Sequence, residues 1–200
     1  VSVPGSVLTL FLAMAALAGC AAEAPRPEPV AVAATVAAPR AIDVLFARMM
    51  VAHHAQAVRL SRILLARPGV PERVHHVAGF IAQDQQREID EINAWLIAWG
   101  RPAADPADPA MLRMHGGDAA AHGMLTEDQL REVGTAAPAA AARSFLRQMI
   151  AHHTGAITMA RSVLETGGNR YIRSLAAHVV NEQTAENDAM RALLVTPLPG

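Results

Sequence analysis

Apolar residues recur along the chain at steps of three and four. Val44, Met50, Ala57, Leu60 and Leu64 make one such stripe, and Ile81, Ile89, Ile92 and Leu96 make another. That spacing follows the turn of an α-helix and not the alternation of a strand. Breakers fall between the stripes: Arg67-Pro68-Gly69 after the first, Gly100 with Pro102 after the second, and Gly167-Gly168-Asn169 late in the chain. Pro71 suits the first turn of a helix, where its missing N–H costs nothing. The pattern predicts four long helices of roughly 22 to 28 residues, paired antiparallel. A shorter helix is expected after Thr126-x-x-Gln129, a capping-box spacing.

The helices are two copies of one unit. FARMMVAHHAQAVRLSRILL begins at Phe46 and FLRQMIAHHTGAITMARSVL at Phe145, with Met50, His53 and His54 answered by Met149, His152 and His153. Further on, QQREIDEI from Gln85 answers QTAENDAM from Gln183, pairing Gln85 and Glu88 with Gln183 and Glu186. A repeated helix-turn-helix organises residues 42–194, as repeat one (42–100), a polar crossover (101–137) and repeat two (138–194). One hairpin cannot bury its apolar stripe alone. The expected fold is therefore all-α, a four-helix bundle of two repeated hairpins with a long crossover.

The N-terminus reads as a targeting segment. Residues 3–19 are mostly apolar and end at Cys20, the chain's single cysteine. The run is short for a permanent membrane span, which needs about 20 apolar residues. Leu17-Ala18-Gly19-Cys20 resembles the bacterial lipobox. Residues 1–19 are accordingly expected to be a signal peptide, Cys20 to carry lipid, and residues 20–41 to form a flexible, proline-containing linker. The implied location is the outer face of the cytoplasmic membrane or the periplasm, with the membrane as a partner through Cys20. Val1–Thr9 lacks the Lys or Arg that usually opens a signal peptide.

Composition narrows the choice of partner. Hydrophobic residues make up 52% of the chain, enough for a core, and aromatics only 4%, which favours helices over sandwiches. The formal net charge of −1, with no basic block, excludes nucleic acid as an expected partner.

The chemistry lies in the Met and His positions. Residues three and four apart share a helical face, so Met149, His152, His153 and Met159 project from one side of a helix, as do Met50, His53 and His54. Thioethers with imidazoles favour Cu(I), and Ag(I) by the same logic, over Cu(II) or Zn(II). The second copy is expected to be the tighter site, because Leu60 stands where repeat two has Met159. Gln85, Glu88, Gln183 and Glu186 are expected to orient the imidazoles or to serve as additional ligands. Met111, Met114, His115, His122 and Met124 in the crossover are possible loop ligands, and equally plain linker. A methionine stripe alone is more often core packing; adjacent histidines repeated in both halves are costly to bury without partners.

These segments, with HGMLTEDQL before the second copy and Gln-x-x-Glu late in each repeat, resemble the bacterial domain of unknown function 305 family over about Ile42–Leu194. That resemblance implies a ferritin-like helical bundle, export and, for some members, copper binding and resistance, with no enzymatic activity. The chain departs from the family pattern at Gln56, where Gly is common and repeat two keeps Gly155, and at Leu60 in place of Met. The expected function is an exported, lipid-anchored metal-binding protein, copper as Cu(I) being the suspected cofactor, for buffering, resistance or transfer to a delivery or efflux partner. One alternative is a structural or partner-binding bundle with pH-responsive histidines. A di-metal oxidoreductase is disfavoured, since the bundle class that supports it needs Glu-x-x-His on two helices and only Glu72 with His75 supplies one. No nucleophile elbow is present, and no catalytic residue is assigned.

Overall fold

The computed structural model describes residues 37–108, 110–111 and 122–196. Residues 1–19, Cys20, Met114 and His115 lie outside them. Among the described residues there are five helices and no strand: α1 (Ala41–Leu65), α2 (Glu72–Ala98), α3 (Glu127–Thr135), α4 (Pro138–Thr166) and α5 (Arg170–Val195). None is long and apolar enough to cross a membrane.

The expected punctuation operates with small shifts. Pro71 caps α2 from just outside, and Pro138 occupies the first turn of α4. Gly100 adopts φ +66° after α2, a left-handed conformation that glycine tolerates. At α3 the Thr126 hydroxyl accepts from the Gln129 N–H at 3.2 Å, and the Gln129 side chain accepts from the Thr126 N–H at 2.8 Å. Asn169 opens α5 by accepting from the Tyr171 N–H at 3.0 Å.

The hairpins α1–α2 and α4–α5 form the closest packed pairs, and α1 lies against α4. The apolar core divides into two clusters. In one, the N-terminal half of α1 (Phe46, Met50, Val51) meets the end of α2 (Ile92, Trp95, Leu96), the end of α4 (Met159, Val163) and the start of α5 (Ile172, Val179). In the other, the end of α1 (Leu60, Leu64) meets the start of α2, the start of α4 (Phe145, Met149) and the end of α5 (Met190, Leu193). This distribution makes α1 and α4 antiparallel and relates the repeats by an approximate twofold. The backbones of α2 and α5 hardly approach one another. Between the two apolar ends lie the buried polar residues His53, His54, His152, His153, Gln85, Glu88, Gln183 and Asn187.

Asp43 ties the two repeats at one end. Its carboxylate is fully buried and accepts from the backbone N–H groups of Arg40 (2.8 Å), Gly168 (3.0 Å) and Asn169 (3.3 Å). It thus closes the first turn of α1 and holds the α4–α5 turn against it. Asp43→Ala leaves those donors without a partner and should cost about 2–4 kcal/mol. Urea denaturation followed by circular dichroism would show the midpoint fall; an unchanged midpoint would mean that water replaces the carboxylate at no cost.

Candidate metal centre

The repeated His-His pairs meet where α1 crosses α4. Both pairs are fully buried. The inner rings, His53 and His152, face each other across the approximate twofold, with centroids 3.7 Å apart and planes tilted by 33°. The outer rings turn away, each to the glutamate of its own hairpin. His54 Nε2 lies 2.7 Å from Glu88 Oε2, and His153 Nε2 lies 2.7 Å from Glu186 Oε2. The His153 contact has hydrogen-bond geometry; the His54 contact is equally short but fails on angle.

Charge fixes the tautomer of an outer ring. Burial alone would raise the Glu88 carboxyl, but the close contact and charge of His54, then the charges of His178 and Arg87, hold it below the usual carboxylate range. An ionised carboxylate only accepts, so His54 Nε2 must carry the proton. Its Nδ1 is buried and without a hydrogen-bond partner, as is Nδ1 of His153. This is how metal-ligating histidines are commonly held, one nitrogen donating to a carboxylate and the other left for the ion.

The end of the crossover seals one side. His53 Nε2 is 2.9 Å from the His122 carbonyl oxygen. A Cβ on Gly155 would overlap that same carbonyl, and a Cβ on Gly123, whose φ is +69°, would overlap the Ala151 carbonyl and press on His152. Glycine at both places lets loop backbone rest directly on α4. The repeat-one counterpart of Gly155 is Gln56, whose side chain donates to the Leu125 carbonyl (2.9 Å) and accepts from the Leu125 N–H (2.8 Å). Gln56 therefore clamps the strap that Gly155 admits.

The methionines occupy different surroundings. Met50 and Met149 are fully buried, each in a different apolar cluster, and Met159 is 8% exposed beside Val163. Ten residues separate Met149 from Met159, about 15 Å of helix. Met159 instead shares a cavity of about 290 Å³ with His122 and Met49, the last a residue the sequence reading did not single out. Met111 and Met124 are partly buried. Gln85 and Gln183 are buried, as is Glu88, and their side-chain oxygens make no hydrogen bond. His75 and His76 stand apart from the centre, with His76 exposed 3.8 Å from Glu72.

Fold and site together define an all-helical repeat protein with a buried, carboxylate-oriented imidazole cluster. The chain belongs to the domain of unknown function (DUF305) family, which it matches over residues 43–194. It is similar to a DUF305 fragment from Deinococcus radiodurans at 30% identity, covering 79% of this chain and 98% of that one, with a TM-score of 0.68. A DUF305 protein from Streptomyces coelicolor is 33% identical over 76% of this chain and 91% of its own, with a TM-score of 0.66. CopM in its Cu(I)-bound form is 28% identical over 76% of this chain and 94% of its own, with a TM-score of 0.58. No protein of curated function matches the chain significantly.

The strap makes a test of the centre's cover. Gly155→Ala should push His122–Gly123 off α4, and amide exchange across residues 122–126 should quicken roughly tenfold, about 1.4 kcal/mol of lost protection. Gly79→Ala is the control, because its Cβ would meet only Leu65 at 3.9 Å, and helix propensity makes it neutral or stabilising by up to about 1 kcal/mol. Equal exchange in both variants would show that the strap does not depend on the glycine contact.

Proposed function

We propose that this protein is an exported copper-binding protein that holds Cu(I) between α1 and α4, for buffering, resistance or transfer in the cell envelope. The observation that carries the reading is the buried His54 and His153 pair, each with Nε2 on a glutamate and Nδ1 without a partner. Such nitrogens cost about 1–3 kcal/mol each to bury bare, and a metal ion is the partner that suits an oriented imidazole. CopM supports the metal's identity, since that protein has been crystallised in Cu(I)-, Cu(II)- and silver-bound forms. Met50 and Met149, one turn before the inner histidines, supply the soft ligands that favour Cu(I) over Zn(II). The scaffold is a ferritin-like bundle in the sense of two hairpins joined by one long crossover. The role is that of a binder and carrier, not a catalyst.

Because His53 and His152 face each other, we read the two repeats as halves of one shared centre. His53→Ala and His152→Ala should then weaken Cu(I) binding to similar extents, by roughly tenfold or more, with helicity retained. Anaerobic competition titration against a chromophoric chelator, run beside circular dichroism, measures both. A loss confined to the repeat-two variant would return the sites to separate helices. Unchanged affinity in both would leave the histidines as structural or pH-responsive groups.

The envelope location rests on Leu17-Ala18-Gly19-Cys20 and on the Streptomyces relative, which is inferred to be secreted. Wild-type protein should partition with membranes and incorporate labelled fatty acid, and Cys20→Ser should abolish both. Soluble, unacylated wild-type protein retaining residues 1–19 would refute the anchor.

A further inference from the structure

The seam between α2 and α5 carries a second cluster, outside the histidine centre. Asp84, His178 and Glu182 each place one ligand atom within 4.8 Å of the others. Asp84 and Glu182 occupy equivalent positions of the two repeats, each just before the glutamine of Gln-x-x-Glu, so the approximate twofold brings them together. His178 has no such counterpart, since Phe80 stands in its place in repeat one. His178 Nε2 lies 2.5 Å from Glu182 Oε2 and 3.3 Å from Glu88 Oε1.

We propose that Asp84, His178 and Glu182 form a second, oxygen-rich site for a divalent first-row cation, at the solvent edge of this seam. Two carboxylates and one imidazole, with no sulfur, suit Zn(II), Co(II) or Cu(II) and offer Cu(I) little. Glu88 supplies an independent pointer. It is only 4% exposed, and its Oε1, the oxygen facing His178, makes no hydrogen bond. Its ion pair with His178 leaves the hydrogen-bonding capacity of this buried oxygen unused, and a cation beside His178 takes it up. Access exists: a cavity of about 300 Å³ lined by Arg87, Glu88, Glu91, Tyr171, Ser174 and His178 adjoins the cluster.

The local charge balance points the same way. The carboxylates of Asp84, Glu88 and Glu182 converge there on His178 and Arg87. Arg87 is paired with Asp84, but its side chain is 58% exposed and can yield to a cation without disturbing the core. The competing reading is a solvated ion network, for which the His178–Glu182 spacing of one helical turn is also suited. Glu88 touches both this cluster and the histidine centre, so the test replaces His178 and Glu182 and leaves Glu88 in place.

The test is calorimetric titration of the full-length chain with Zn(II), comparing wild type with a His178→Ala/Glu182→Gln variant and a His53→Ala/His152→Ala variant. The seam variant should lose one Zn(II) equivalent or bind it at least roughly tenfold more weakly. The inner variant should keep that equivalent. An identical Zn(II) isotherm in the seam variant and wild type overturns the proposal, whatever becomes of Cu(I). As a check that needs no substitution, imidazole NMR of wild-type protein should show His178 perturbed by the first Zn(II) equivalent. Perturbation of the inner rings with His178 unmoved counts equally against it.

Discussion

The structure is governed by the cost of burying four imidazoles where two helices cross. An imidazole removed from water without partners loses several kcal/mol of solvation, and α1 and α4 each bring two adjacent rings to one depth. The chain answers this in two ways. The inner rings stack on each other, and the outer rings reach glutamates on α2 and α5. The second answer dictates the rest of the packing, because it requires Glu88 and Glu186 to face inward halfway along their helices. Apolar contact is thereby driven to the two ends of the molecule, and α2 and α5 are left to meet across polar groups.

The crossover breaks the symmetry that the repeats create. A strict twofold would offer the same surface on both sides of the histidine centre, yet among the described residues one strap covers it. Repeat two meets the strap with Gly155, whose missing side chain admits the His122 carbonyl. Repeat one meets it with Gln56, whose amide mimics a backbone partner for Leu125. The Gly-to-Gln departure visible in the sequence is thus a division of labour between equivalent positions. Leu60 and Met159 differ for a comparable reason. Leu60 is fully buried against Leu64 and its neighbours, whereas Met159 borders the cavity shared with His122 and Met49.

Periodicity and repetition made much legible in advance. The helices, their breaks, the α3 capping box and the pairing of Gln-x-x-Glu with the His-His helices all follow from spacing along one chain. What spacing does not carry is direction within a face. Adjacent histidines differ by about 100°, so one member of each pair points at its twin and the other at a glutamate, and only the crossing of α1 on α4 decides which. Asp43 was illegible for a related reason: it reads as an ordinary first-turn acid, and its bonds to Gly168 and Asn169 exist only when the far turn arrives. The Asp84–Glu182 correspondence was available in the repeat. Its burial is not written there, because acidic residues on amphipathic helices usually face water and nothing local marks Asp84 as buried.

Burial means different things for the two kinds of ligand at this centre. A thioether is apolar enough to sit in a core with no partner, and Met50 and Met149 do so among leucine, isoleucine and phenylalanine side chains. Their position is therefore compatible with a metal and does not require one. An imidazole nitrogen is not neutral in this respect, and the bare Nδ1 atoms of His54 and His153 carry a cost in the folded chain that an apolar residue of similar volume would avoid. Tight packing gives no reason to retain that cost, and the oriented carboxylate beside each ring increases the basicity of the nitrogen left bare. An ion bound at such a nitrogen recovers that cost and, by binding the folded state alone, stabilises it in proportion to the logarithm of its free concentration over Kd. On the proposed reading the methionines set which ion is preferred, while the histidines and glutamates give the ion its place.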